Sequence, residues 1–322
     1  MSSAPPRPRF GLRLGESFGL VGVLAGLVLI FGLLGRNFLS AATFQQIANQ
    51  VPALTVLAVG MTFVILTGGI DLSVGSTMAF AGAVLGLAMA DAKLPLPLAL
   101  PIATLAGAAC GWANGFVTVR FGVPSFIVTL GMMQIARGLA YLATGSQTRY
   151  LGKPVEWLGA PLPGLGLSPA ILVAVLLVAA GQFVLRRTVF GRHVLVVGAN
   201  EEAATYSGIR TRPVRVAVFV IAGALAALAA AFDSSKMGAV DPNAGTGFEL
   251  SAIAAVVVGG TSLMGGRGSV VGSFLGVLII ATLGAGLNQI GASEPVKLLV
   301  TGLVIIAAVV ADGWRAGKRK RQ

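Results

Sequence analysis

The chain has 322 residues, of which 56% are hydrophobic and only 11% charged, with a formal net charge of +12. Soluble domains carry roughly 25% charged residues, so a soluble globular class is excluded, and the length divides better into membrane spans of about 20 apolar residues each. A single cysteine, Cys110, and a single histidine, His193, exclude an internal disulfide and leave little for a zinc site or a Cys-His nucleophile. The basic residues are spread over short loops and ends and form no aromatic-interleaved face. That distribution points to membrane topology and away from nucleic acid.

Residues 1–16 are polar and Arg-bearing and read as a basic cytoplasmic tail. The apolar run 17–35 is longer than a signal-peptide core and no small-residue cleavage site follows, so it reads as an uncleaved first span. Residues 38–50 mix Phe38, Leu39, Phe44 and Ile47 with Gln45, Gln46, Asn49 and Gln50, an amphipathic lead-in at the interface. Further spans are expected at about 51–66, 70–89, 98–119, 126–144, 169–185, 216–232, 250–258, 270–290 and 296–310, with a basic tail at 312–322. The expected fold is therefore an all-α polytopic bundle of about ten transmembrane helices in one domain, 17–311. An even count puts both ends on one side. Placing them in the cytoplasm brings most Lys and Arg inside, including six arginines of the loop 186–215. The weak spans are those at 51–66 and 250–258, either of which is open to a re-entrant or tilted reading.

Two Gly-rich breaks interrupt the apolar pattern. The first, GMTFVILTGGIDLSVGS (60–76), turns at Gly68 and Gly69 and places Asp71 at the start of the next run. The second, GGTSLMGGRGS (259–269), contains Gly265 and Gly266. Exposed backbone in hydrocarbon leaves polar groups unpaired, so both breaks must be surrounded by protein or water. The carboxylate of Asp71 suits the first turn of a helix, accepting from the amide of Ser73 or Val74; a ligand role is the alternative. The topology puts Asp71 near the cytoplasmic end, which favours capping and a structural joint. Gly107/Gly111/Gly115 and Gly268/Gly272/Gly276 are triple four-residue ladders, a pattern for close helix packing. The single pairs Gly22/Gly26 and Gly82/Gly86 are within what 45 glycines produce by chance.

Arg137 lies well inside a span, where a charge costs at least a few kcal/mol unless it faces protein or water or snorkels. Gln134 lies nearly one turn earlier. Asn114 and Asn288 are further polar residues within or at the ends of spans. Depth and polarity make Asn114, Gln134, Arg137 and Asn288 candidates for lining a translocation path, although packing accounts for each taken alone. In the basic loop, NEEAATYSG (200–208) has an N-cap residue, two first-turn acids, helix formers and a closing glycine. It reads as a short bounded helix outside the membrane and, among arginines, as a docking surface. No Walker A motif, dinucleotide fingerprint, G-x-S-x-G or H-E-x-x-H occurs. An enzyme has little to draw on, and no metal site is expected.

GMTFVILTGGIDLSVGS (60–76), GVPSFIVTLGMMQIARGLA (122–140), GANEEAATYSGI (198–209) and DPNAGTGFELSAIAAVVVGGTSLMGGRGSVVGSFLG (241–276) resemble, in order and spacing, the permease subunits of bacterial ABC importers for ribose, xylose and related monosaccharides. The resemblance runs through nearly the whole chain except its two ends. It implies a multi-pass subunit of the bacterial inner membrane, paired with a second permease copy as a homodimer, and partnered by a cytoplasmic ABC ATPase and a periplasmic sugar-binding protein. The chain itself would need no cofactor, ATP being used by the partner ATPase. Glu201, Glu202, Ala203, Ala204 and Gly208 match the family's ATPase-coupling loop. The resemblance gives no defined sugar site. A permease for branched-chain amino acids or another small solute is the nearest alternative. An ion-coupled secondary transporter wants paired intramembrane acids, and Asp71 is the only acid near a span break.

Overall fold

The structure, a computed structural model, describes residues 14–319. Most of these residues are helical, as the membrane-embedded part of a chain must be where lipid offers backbone groups no partner. In chain order the helices are α1 (Leu14–Leu34), α2 (Ala41–Gln50), α3 (Pro52–Leu66), α4 (Val74–Gly86), α5 (Leu96–Phe121), α6 (Ser125–Thr144), α7 (Lys153–Glu156), α8 (Pro169–Arg187), α9 (Val189–Ala199), α10 (Glu201–Tyr206), α11 (Thr211–Met237), α12 (Phe248–Val258), α13 (Val270–Gln289) and α14 (Glu294–Arg319). α4 runs on into one π-helical turn, Leu87–Asp91. Two short strands, β1 (Arg149–Tyr150) and β2 (Ala239–Val240), pair antiparallel and join the loop after α6 to the loop after α11. Arg149 also donates from Nη1 to both oxygens of Asp91 at 2.9 Å, which fixes this end of α4.

Most expected spans coincide with helices to within a few residues, while α7 and α9 lie in stretches read as loops, and the expected count of about ten crossings is not reproduced. Among the described residues six helices are long and apolar enough to cross alone, and α2 with α3 makes a seventh only as a pair bent by 49°. α12 has eleven residues and rises about 16 Å against roughly 30 Å of hydrocarbon. The final helix does not stop at 310. It continues to Arg319, so the basic run from 312 extends a helix. Residues 1–13 of the expected head and 320–322 of the expected tail lie outside the described residues.

α3 is the axis of the bundle. It is apolar all round, and every residue but Leu54 is buried, the pattern of a helix enclosed by others. α11 lies beside it and against α5. The α5 ladder explains how closely: a Cβ on Gly107 or Gly111 would overlap the carbonyl of Gly223 or Phe219, and one on Gly115 would lie 2.8 Å from Val216 Cα. The second ladder likewise lets α13 meet α12, through Gly272 against Gly259 and Gly276 against Ala255. Gly22 and Gly26 have open space around them.

Candidate functional site

Three segments distant in sequence meet at one end of the bundle. The end of α3, the second break and the C-terminal turn of α9 are in backbone contact: Gly266 N donates to Leu66 O at 2.9 Å, and a Cβ on Gly198 would overlap that same oxygen and lie 2.6 Å from Gly266 N. A Cβ on Gly265 would lie 2.7 Å from Gly198 O and 2.9 Å from Gly68 N. Gly68, Gly265 and Gly266 all have positive φ, at 77°, 81° and 71°, a region closed to most other residues. The two breaks are therefore one structure, a glycine junction with α9 wedged against it.

The backbone of the first break is satisfied by carbonyls of α3 up to Gly69 and by side chains beyond it, as burial demands. Ile70 N donates to Ser125 Oγ at 2.9 Å and Leu72 N to Thr129 Oγ1 at 3.0 Å, both acceptors on α6. Asp71 is 2% exposed. Its Oδ1 accepts from Ser73 N at 2.9 Å and Ser73 Oγ at 2.6 Å, and Asn114 Nδ2 of α5 donates to that hydroxyl at 2.9 Å. Asp71 thus closes the turn into α4, two residues ahead of the cap position, Ser73. At the second break Ser269 Oγ accepts from Gly272 N at 2.9 Å, while Gln182 of α8 reaches across so that its Oε1 accepts from Val270 N at 3.0 Å.

α9 carries the junction outward. Thr188 caps it, accepting from Gly191 N at 3.1 Å. Its face Val194, Leu195 and Val197 is buried against Val64 and Leu66 of α3, Leu185 of α8 and Phe219 of α11. α10 follows at an elbow. Asn200 Oδ1 accepts from Ala203 N at 2.8 Å; at the other end Gly208 N donates to Thr205 O and Ile209 N to Ala204 O, both at 3.0 Å, the paired bonds of a Schellman stop. Gly208 has φ 81° as that stop requires. Ala204 is fully buried in the α9–α11 cluster and anchors the helix, while Arg215 of α11 pairs with Glu201 at 3.0 Å. Glu202, Ala203, Tyr206 and Gly208 face outward, Tyr206 being 83% exposed. The result is a rigid projecting knob on a packed base.

Residues 43–309 match the model of the family described as branched-chain amino acid transport system / permease component. The chain belongs to this family of membrane permeases. The permease is 40% identical over 292 residues to the ribose import permease protein RbsC of Bacillus subtilis, covering 89% of each chain. It is 37% identical over 297 residues to RbsC of Haemophilus influenzae, covering 91% of this chain and 92% of the relative. To the fructose import permease protein FrcC of Rhizobium meliloti it is 35% identical over 301 residues, covering 91% and 84%. No solved structure matches it.

The four polar residues singled out for a path are dispersed in the permease. Asn114 is fully buried and bonds α5 to the first break. Arg137 is half-buried on α6 and faces protein, its Nη1 donating to Pro242 O at 2.5 Å and Ala244 O at 3.0 Å. Gln134 is exposed on α6, and Asn288 is exposed at the end of α13. Sequence reasoning passed over Gly198, Ser125 and Thr129. The two hydroxyls, spaced i and i+4 at the start of α6, were a legible sign of side chains facing a common backbone; Gly198 sits inside a helix with no local signal at all.

Proposed function

We propose that the chain is the membrane-spanning permease of an ATP-driven, binding-protein-dependent importer of a monosaccharide. Relatives named for ribose, fructose and arabinose import, similar over most of their lengths, support the solute class. The ATP would be hydrolysed by a separate ABC ATPase that seats on α10, and a periplasmic sugar-binding protein would deliver the solute; both ends of the chain and the loop 186–215 would lie in the cytoplasm, in an inner membrane.

The observation that carries the coupling is the glycine junction. A load on α10 reaches α9, and the last turn of α9 abuts the end of α3 at Leu66 and the second break at Gly265 and Gly266. Interfaces of this kind switch between discrete arrangements rather than deform smoothly. Glu201, Glu202, Ala203, Ala204 and Gly208 are then the coupling residues, and Gly68, Gly69, Asp71, Gly265 and Gly266 the joints. Two copies of the permease would enclose the path, with Gln134 and Arg137 on its wall, Asn114 bracing the first joint behind it and Asn288 at one mouth.

The test is reconstitution of the permease with its ATPase and secreted binding protein in vesicles. ATP-dependent uptake of labelled ribose, xylose or fructose, insensitive to an ionophore, is expected. The family description favours one rival solute, and uptake of leucine in place of every sugar would establish it; uptake that persists without ATP and collapses with an ionophore would overturn the mechanism.

A further inference from the structure

α5 and α11 run antiparallel, and their glycine seam fixes which residues lie level. Gly107 meets Gly223, Gly111 meets Phe219 and Val220, and Gly115 meets Val216. Continued toward α10, that register brings Arg120, in the last turn of α5, level with the first turn of α11, where Arg212 lies. Beside the seam the two helices leave a groove of about 580 Å³, with Trp112 and Phe116 on the α5 side and Arg212, Val216, Val220 and Ile221 on the α11 side. The rings of Trp112 and Phe116 stack at 5.1 Å between centroids, and both are exposed. Arg120 is the next step of the same ridge, because residues four apart share a helix face. From Trp112 to Arg120 the ridge rises about 12 Å. The groove is thus apolar and aromatic along its length and has a guanidinium on each side of one end.

The two arginines have no counter-charge. Both are exposed, and the ion pairs among the described residues are Arg149–Asp91, Arg215–Glu201 and Lys297–Glu294. Arg120 has a local reason for its place, since the carbonyl end of a helix favours a cation. Arg186 and Arg187 sit at the end of α8 in the same way. Arg212 has no such reason. It is the second residue of α11, whose first turn holds no acid and whose cap residue, Arg210, makes no capping bond. The start of a helix carries open amides and positive partial charge, and it favours an anion. Arg210, Arg212 and Arg215 all crowd that start, and only Arg215 is neutralised, by Glu201. An external anion beside Arg212 would satisfy the arginine and the helix end together. The rest of this face is of the kind that meets lipid: Leu98, Ile102 and Leu105 carry the α5 ridge toward the other end, all exposed and apolar.

We propose that the α5–α11 groove is a binding site for one anionic phospholipid, its phosphate held between Arg212 and Arg120 and an acyl chain lying along Trp112, Phe116 and Val216. A basic pocket between membrane helices at the headgroup level is suited to an anionic headgroup, and the guanidinium fork matches a phosphate geometrically. A zwitterionic lipid brings the same phosphate with its own cation and leaves the two arginines uncompensated. The proposal needs only that the chain spans a membrane, and it holds whatever the solute. It also places the headgroup near the drive. Arg215, three residues beyond Arg212, ties α11 to α10, so a filled site would steady the base of the knob.

The test uses the full chain reconstituted in phosphatidylcholine vesicles, with Trp112 as the reporter. Trp112→Phe supplies the background from Trp157 and Trp314, which is subtracted. Phosphatidylglycerol or phosphatidylcholine brominated in the acyl chains is titrated in, and the quenching gives their relative association constants. Each arginine at a membrane surface favours an anionic lipid by a factor of about five. Brominated phosphatidylglycerol is therefore expected to bind at least about tenfold tighter than its phosphatidylcholine counterpart, with the preference falling as salt rises. The double variant Arg120→Gln and Arg212→Gln is expected to bring the ratio to near one, with an unfolding temperature in phosphatidylcholine alone equal to the parent's. Equal constants in the parent overturn the proposal. So does a preference that survives in the glutamine variant, because the anion is then held elsewhere. Quenching of Trp112 by neither lipid overturns it as well and shows the groove covered by protein, such as a second copy of the chain. Where the glutamine variant fails to insert, Arg212→Lys decides: it keeps the charge, loses the planar fork and is expected to lower the ratio at least twofold, and an unchanged ratio removes the phosphate contact.

Discussion

Gly198→Ala is the sharpest probe of the glycine junction. The added methyl would overlap Leu66 O and lie 2.6 Å from Gly266 N and 2.8 Å from Leu66 C. All three are backbone atoms, so no side chain can swing away. Ordinary contact requires about 3.5 Å, and the overlap with Leu66 O is deep enough that α9 must withdraw by about 2 Å. Overpacking of this kind costs about 1–3 kcal/mol. Withdrawal also strains the Gly266–Leu66 hydrogen bond of 2.9 Å, worth about 1 kcal/mol. Against this, alanine is better than glycine within a helix by about 1 kcal/mol. The net is about 1–3 kcal/mol at the contact between the coupling helices and both breaks, equivalent to a 5- to 150-fold loss if it falls on the communication between sites. The assays are ATP-driven uptake in vesicles, ATPase association and thermal unfolding of the purified permease. Uptake should fall while the ATPase still binds, because α10 keeps its own caps. Gly284→Ala, with nothing within 4 Å of the new methyl, is the control and should leave all three unchanged or slightly raise stability. Full uptake and an unaltered melting temperature for Gly198→Ala would refute the account of the junction.

Three further outcomes follow from the same geometry. Thr129→Val removes the acceptor for Leu72 N and should cost about 1–3 kcal/mol of stability by leaving a sheltered amide unpaired; a melting temperature equal to the parent's would show that water replaces it. Asp71→Asn keeps an oxygen for Ser73 and should retain most uptake, whereas Asp71→Ala loses two buried hydrogen bonds and should destabilise by about 2–4 kcal/mol; abolished uptake in a stable Asp71→Asn protein would instead favour a ligand role. The Gly208→Pro and Glu202→Lys double variant breaks the Schellman stop, where φ is 81°, and inverts a charge on the knob; it should lose co-purification with the ATPase while its membrane level stays unchanged, and retained co-purification would count against α10 as the seat.

What was legible in the sequence was local. Asn200, the two acids, Ala203, Ala204 and Gly208 specify α10 by cap chemistry within nine residues, and the structure has the N-cap bond and the closing pair in place. The α5 ladder was legible for the same reason, since four-residue spacing is a property of one helix; of the second triple only Gly272 and Gly276 lie on α13, and Gly268 precedes it and faces Thr261. Span count was not. Hydropathy reports apolarity, and α3 and α12 are apolar and also largely enclosed by other helices, so apolarity alone does not count crossings.

The junction lay beyond sequence reading for a different reason. Gly68, Gly198 and Gly265 are separated by 130 and 67 positions, and each has a sufficient local explanation: a turn, a helix residue, a turn. Only the exclusion of a Cβ at Gly198 by the backbone of Leu66 and Gly266, and at Gly265 by that of Gly198 and Gly68, reveals that they are one site. Asp71 shows the same limit from the other side. Its local bond to Ser73 was foreseeable, but the Asn114 amide that steadies Ser73 comes from α5, so a residue considered for the path serves the joint. Arg137 divides the two cases. Its depth signalled that it must face protein or water or else snorkel, and the carbonyls of Pro242 and Ala244 that receive it join α6 to the loop after α11. A buried polar residue in such a bundle is thus read in two steps: depth says that a partner exists, and the partner's own exposure says whether the pair ends in the core or opens onto a path. Asn114 ends in the core, whereas Arg137, through the exposed Asn243, opens outward.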